Sequence, residues 1–192
     1  MGDFSQNGVI SNLHDFGTRT TNEIEKDLLN FSKERKMELI LPSLYSELEG
    51  DALPNIVNEI SKTKYLSHII IGLDRANKSQ ALKSWKFFKK LNTPFTILWN
   101  DGPRLKKLHI ELKKKDLAPN EKGKGRNVWY CLGMCIARDN ARSVALHDCD
   151  IKTYDRRMLA KLFYPVVNPL FNFEFCKGYY PRVANGKMHG RV

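Results

Sequence analysis

One stretch constrains the fold of this chain more than any other: His68-Ile69-Ile70-Ile71-Gly72-Leu73-Asp74. Consecutive apolar residues in a strand present hydrophobic side chains to both faces of a sheet. Strands buried on both faces belong to parallel sheets covered by helices on either side. Two further runs have the same character. Glu38-Leu39-Ile40-Leu41-Pro42 reads as a strand closed by Pro42, and Phe95-Thr96-Ile97-Leu98-Trp99 as another. A fourth, Val144-Ala145-Leu146-His147, runs into Asp148.

Helical periodicity fills the gaps between them. Residues 51–62 carry Leu53, Ile56, Val57 and Ile60 at helical spacing, with Asp51 as N-cap and Pro54 in the first turn. Residues 77–91 and Arg104 to Lys115 read as helices. A polar loop over 118–125 then precedes helical spacing at Val128, Trp129, Leu132, Cys135 and Ile136. Ahead of the first strand, residues 21–36 place Ile24, Leu28 and Phe31 on one helix face, capped by Thr20 or Thr21. After the fourth strand come a helix over 155–164, an alternating run over 171–180 that reads as a strand, and a tail from Ala184 without periodicity. Strands alternating with helices specify an α/β fold with a mostly parallel, Rossmann-like sheet flanked by helices. The expected organisation is an N-terminal arm over 1–20 and one domain over 21–192.

In such sheets, ligands sit beyond the carboxyl ends of the strands. That rule selects Pro42 to Glu49, Asp74-Arg75, Asn100-Asp101 and Asp148-Cys149-Asp150, all of them polar or charged exits. The last is chemically the sharpest. Residues i and i+2 of a strand share a face, so Asp148 and Asp150 can reach one hard cation. Mg²⁺ or Mn²⁺ takes oxygen ligands and commonly completes its shell with substrate phosphates. Such a pair also commonly caps a helix or shapes a turn, so the motif gains weight only with its surroundings.

Composition narrows the field. With 192 residues, 42% hydrophobic, the chain can bury one proper core. No apolar run approaches the roughly 20 residues of a membrane span. The opening Met1-Gly2-Asp3-Phe4-Ser5-Gln6 resembles neither a secretory signal nor a myristoylation site. A cytoplasmic protein with no membrane partner is therefore expected. Cys131, Cys135, Cys149 and Cys176 contain no Cys-x-x-Cys pair and are expected to be reduced thiols. The net charge of +11 suits polyanions, membrane surfaces or small anionic ligands. Much of it lies in Arg104, Lys106, Lys107, Lys113, Lys114, Lys115, Lys122, Lys124 and Arg126. A nucleic-acid-binding module built on 104–126 is the competing reading, although no helix-turn-helix, zinc-finger or RNA-binding aromatic motif accompanies it.

Taken in order, Pro42-Ser43-Leu44 with Glu47, Asp74, Gly123-Lys124-Gly125 before a Trp-bearing helix, and Asp148-Cys149-Asp150 match a family. The segments Lys177-Gly178-Tyr179-Tyr180-Pro181-Arg182 and Gly190-Arg191-Val192 match it too. From about residue 38 onward the chain resembles the GT-A glycosyltransferases, in particular the glucosyl-3-phosphoglycerate synthase group and its mannosyl relatives.

The resemblance implies a metal-dependent, retaining transfer of a hexose, with glucose expected, from a nucleotide-diphosphate sugar such as UDP-glucose to 3-phosphoglycerate or glycerate. It places Pro42, Leu44, Glu47, Asp74, Lys124, Asp148 and Cys149 around the donor. The base-contacting residue could be Ser46 or Glu47. Asp148 and Asp150 would hold the divalent Mg²⁺ or Mn²⁺, with Asp150 the more direct ligand and the catalytic residue. Gly190 and Arg191 would receive the acceptor. Arg75 stands where the family has a small polar residue, which leaves the donor base open. Family members continue well past Val192 into a region that completes the acceptor pocket and supplies a further histidine ligand. A chain truncated after its donor-binding half is therefore expected. The assembly is left open, a homodimer among the options.

His147 is expected to be packed on the strand face opposite the Asp pair. A nucleotidyltransferase ranks last, because no glycine-rich phosphate loop follows the first strand.

Overall fold

The computed structural model describes residues 17–171 and 173–178, together with the backbone of 182–184 and 187–189. Helix α1 (Thr21–Phe31) opens on Thr20, whose hydroxyl accepts the Glu23 N–H while the Glu23 carboxylate accepts the Thr20 N–H. Strand β1 (Met37–Leu44) leads through a short 3₁₀ turn (Tyr45–Glu49) into α2 (Ala52–Ser61). Then follow β2 (Leu66–Asp74), α3 (Lys78–Phe88), β3 (Phe95–Trp99), α4 (Pro103–Lys113), α5 (Lys124–Arg138), β4 (Ser143–Leu146) and α6 (Arg156–Val167). A small antiparallel pair, β5 (Arg182–Ala184) and β6 (Lys187–His189), closes the described chain.

The first four strands form one parallel sheet in the order β3-β2-β1-β4, the α/β, Rossmann-like arrangement that the alternation of elements calls for. One face carries Met37, Leu39, Leu41, Ile69, Ile71 and Ala145, packed against α1, α2, α3 and α6 through Leu28, Ile56, Phe88 and Phe163. The other carries Ile40 and Ile70 against Cys131 and Cys135 of α5. The chain moves from β1 outward to β3, then returns past β1 to β4. The order therefore reverses between β1 and β4, and a crevice opens at the carboxyl ends of those two strands.

Several sequence expectations are corrected. Strand β1 does not close at Pro42 but continues to Leu44, with Pro42 opposite Gly72 of β2. It can do so because β4 pairs with β1 only up to Ile40, opposite Leu146. Beyond that point a residue without an N–H takes no bond from the β4 side. The loop over 118–125 is shorter than expected, since α5 begins at Lys124 with Gly123 as its N-cap. Asp51 occupies the N-cap of α2 without a side-chain cap bond. Among the described residues of 171–180 there is no strand, and the β5–β6 pair runs into the tail that shows no periodicity in the sequence.

The largest difference concerns α5. Trp129, Leu132 and Ile136 are exposed, Ile136 by 78%. The sheet-facing side is Asn127, Tyr130, Cys131 and Cys135. Of the residues chosen by apolar spacing, only Cys135 is buried. No helix among the described residues is long and apolar enough to cross a membrane.

Candidate functional site: a cleft at the strand exits

Strand β4 stops pairing at Leu146, yet its burial pattern continues. Ser143, Ala145, His147 and Cys149 are buried, while Val144, Leu146, Asp148 and Asp150 are not. The His147 N–H still bonds to the Ile40 carbonyl at 3.1 Å. The chain turns at Cys149 and Asp150, which sets Cys149 in the core while Asp148 and Asp150 both border the cleft. Burial pushes the Cys149 thiol well above its ordinary range, with the Glu47 charge adding to the effect. His147 is buried and stacks edge-on against Tyr154, at 5.4 Å between ring centroids. Desolvation draws its pKa down to about 4, so the ring is neutral at pH 7 and faces away from the Asp pair.

The opposite wall is the start of α5. Gly123 has φ 145° and ψ −168°, a conformation essentially reserved for glycine. No side chain caps α5, leaving its first-turn amides without an intrahelical partner. The helix is seated by Asn127, whose Nδ2 donates to the Gly72 carbonyl at 2.7 Å in the buried interface with β2. A Cβ at Gly72 would lie 1.8 Å from Asn127 Oδ1, so this close approach requires glycine. One turn before Asn127, Lys124 Nζ donates to Asp148 Oδ1.

The remaining walls come from the exits of β1 and β2. The Glu47 carboxylate accepts the Leu44 N–H at 2.9 Å, which folds the 3₁₀ turn back over the end of β1. Its pKa is raised, chiefly by desolvation, and Asp150 raises it further while Lys124 opposes the shift. Asp74 is buried and accepts the Arg75 N–H at 3.0 Å. Arg75 itself sits in the left-handed region at φ 55°. Behind Asp74, Arg126 approaches to 4.0 Å.

Together these residues border an open cleft of about 270 Å³, lined by Pro42, Ser43, Leu44, Glu47, Asp74, Arg75, Gly123, Lys124, Asn127, Asp148, Cys149 and Asp150. That is just below the range of a full ligand pocket.

The structure thus brings Pro42, Leu44, Glu47, Asp74, Lys124, Asp148, Cys149 and Asp150 to one place. Asn100 and Asp101, also at a strand exit, do not line it. Gly190 and Arg191 lie outside the described residues. Ser43, Gly123 and Asn127 line the cleft without having been chosen as ligand-binding residues.

Among the described residues, no group of three His, Cys, Asp or Glu side chains is arranged to hold a metal ion. The cleft does offer the carboxylates of Asp148 and Asp150, with the charge of Asp150 felt at Glu47. A hard divalent cation held by one or two carboxylates and completed by substrate phosphates fits this donor set.

No family model matches the chain. Two curated proteins do. The glucosyl-3-phosphoglycerate synthase of Persephonella marina is 46% identical over 192 residues, covering 100% of this chain and 47% of that protein. The glucosyl-3-phosphoglycerate synthase of Methanococcoides burtonii is 37% identical over 193 residues, covering 99% of this chain and 47% of that protein. The chain therefore spans about half the length of the curated relatives it matches. Along that span, the resemblance read from the cleft residues holds over the whole chain: it is similar to glucosyl-3-phosphoglycerate synthases.

Proposed function

We propose that this chain is the donor-binding part of a metal-dependent, retaining glycosyltransferase, one that moves a hexose, glucose in the first instance, from a nucleotide-diphosphate sugar to 3-phosphoglycerate or glycerate. The observation that carries this reading is convergence. Residues from the exits of β1 and β2, the start of α5 and the segment after β4 border one cleft at the sheet's switch point. Similarity to two proteins named glucosyl-3-phosphoglycerate synthase supports the same reading.

In this reading Pro42, Leu44, Glu47 and Asp74 hold the nucleoside. Lys124 and the first-turn amides of α5 take the diphosphate, because a helix N-terminus and an ammonium both favour anions. Asp148 and Asp150 orient the cation, with Asp150 the catalytic carboxylate. When bound, a divalent cation supplies Lewis-acid neutralisation of the departing diphosphate. Lys124 donates to the same oxygens as the anomeric carbon–oxygen bond breaks. The acceptor hydroxyl attacks the face that the leaving group vacates, and its proton passes to the departing phosphate oxygen. Gly190 and Arg191 would meet the acceptor's charged end.

Calorimetry with UDP-glucose and Mn²⁺ tests this. Binding is expected to require the metal, and Asp150→Ala is expected to weaken it by at least about tenfold, the scale of loss seen when a metal site is disturbed. Absence of metal-dependent binding to any nucleotide diphosphate would overturn the proposal. Salt-sensitive binding of DNA or RNA that Asp150→Ala leaves intact would instead favour the basic segment over 104–126.

A further inference from the structure

The ion pair across the cleft joins two groups with separate tasks. Lys124 Nζ donates to Oδ1 of Asp148, one of the two oxygens of a carboxylate that would turn toward a cation. The same ammonium is the group that would turn toward a diphosphate. While the pair is closed, Oδ1 and one ammonium proton are committed to each other, and each group reaches its own ligand in full only by leaving the other. We propose that Lys124 and Asp148 form an exchange latch: diphosphate draws Lys124 away and frees Asp148 for the metal, and metal draws Asp148 away and frees Lys124 for the diphosphate. The proposal rests on the donor-site reading above and adds to it a coupling between two ligands.

The geometry permits such an exchange at low cost. The side chains are 57% and 44% exposed, and pairs this exposed are weak. The backbone beneath Lys124 is not free to follow its side chain. The Asn127 N–H bonds to the Gly123 carbonyl at 3.1 Å, and Asn127 Nδ2 pins the same turn to Gly72 at 2.7 Å. Only the flexible lysine stem has to swing. Asp148 lies beyond the last paired residue of β4 and needs only a side-chain rotation. By linkage, whatever affinity diphosphate adds to metal binding, metal adds equally to diphosphate binding.

A double-mutant cycle on UDP binding, measured by calorimetry in EDTA, isolates the latch from simple charge. Asp148→Asn releases Lys124 and is expected to tighten UDP about fivefold, the equivalent of about 1 kcal/mol. In a Lys124→Gln background the same substitution is expected to give almost no gain. A pure charge effect would give equal gains in both backgrounds, and that result would overturn the latch. So would an unchanged or weakened affinity in Asp148→Asn alone. As a second measurement, Mn²⁺ binding without nucleotide, followed by electron paramagnetic resonance, is expected to tighten about fivefold in Lys124→Gln and not in the Arg75→Gln control. Equal tightening in both variants would also overturn the latch. If the unaltered chain binds neither UDP nor GDP with Mn²⁺, the donor-site reading itself fails. If it binds them but the cycle is additive, only the latch fails.

Discussion

At the scale of single residues, two glycines hold the cleft in shape for different reasons. Gly72 lies where α5 touches the sheet, and an added methyl would overlap Asn127 Oδ1 at 1.8 Å and Cys131 Sγ at 2.7 Å. Both are buried and hydrogen-bonded to each other, so neither can swing aside. Gly72→Ala is expected to cost about 2–3 kcal/mol and to lower the melting temperature by roughly 4–12 °C, which calorimetric melting would show. Gly123→Ala is different, because nothing lies within 4 Å of the added Cβ. Its cost is backbone strain of about 1–3 kcal/mol, concentrated at the start of α5.

The cysteines offer an independent check. Cys131 and Cys135 are buried, and desolvation pushes both thiols up to about 12. Cys149 is buried as well, whereas Cys176 is only partly covered. Burial raises the Cys176 thiol too, so native protein treated with a thiol-exchange reagent should show one equivalent reacting ahead of the rest, from the partly covered Cys176, and all four only after denaturation. Two or more fast equivalents would contradict the packing of α5 on the sheet. The Asp pair was legible in the sequence as a charged strand exit, although the turn at Cys149 and Asp150, and not alternation, brings both carboxylates to the cleft. Asn127 was not, since its importance lies in a bond to a carbonyl 55 positions earlier in the chain.

At the scale of elements, strands were easier to read than helix faces, and α5 shows why. Apolar residues recur along it at two interleaved sets of positions. One set, Trp129, Leu132 and Ile136, is exposed; the other, Tyr130, Cys131 and Cys135, is buried. Periodicity fixes the spacing of a stripe. It does not say which of two stripes meets the sheet when the buried one includes cysteine, tyrosine and an asparagine. Helix α2 has a single stripe, and there Leu53, Ile56, Val57 and Ile60 are all buried as expected. The contrast can be measured. Ile136→Gln should change stability by no more than about 0.5 kcal/mol, while Ile60→Ala, in the fully enclosed core, should cost about 2–5 kcal/mol. Urea titration of the two variants would check it, and a large loss in Ile136→Gln would mean that α5 is rotated. In the sequence Pro42 marks the end of β1, because proline in a central strand normally ends it. Here the neighbour on one side has already stopped, a fact set by the length of β4 and invisible at Pro42.

At the scale of the whole molecule, the sheet has two polar ends with opposite consequences. The carboxyl end opens into the cleft. The amino end is closed and carries buried ionisable groups on the α5 face. Glu38 is 0% exposed and stands opposite His68 in the β1–β2 register. Arg138, in the last turn of α5, donates to Glu38 Oε1 at 3.2 Å, and His68 Nε2 shares a hydrogen bond of 2.9 Å with Thr96 Oγ1. Burial holds the His68 pKa below its ordinary 6.5; the Arg138 charge lowers it further, and Glu38 only partly offsets these effects.

The fold therefore keeps this histidine neutral where the unfolded chain would protonate it. Between 6.5 and the lower folded value, the unfolded state binds more protons. The contribution is present in full above 6.5 and is lost as pH falls through the folded value. Glu25 and Glu47 act in the opposite sense, because desolvation raises their folded values above 4.5. A comparison with His68→Gln cancels their contribution. Urea midpoints taken from pH 7.5 to 5.5 should fall in the unaltered chain and fall less steeply in His68→Gln, with Thr96 still supplied with an amide partner. An equal or steeper fall in the variant would mean that the acid sensitivity of this strongly basic chain arises elsewhere than at the closed end of its sheet.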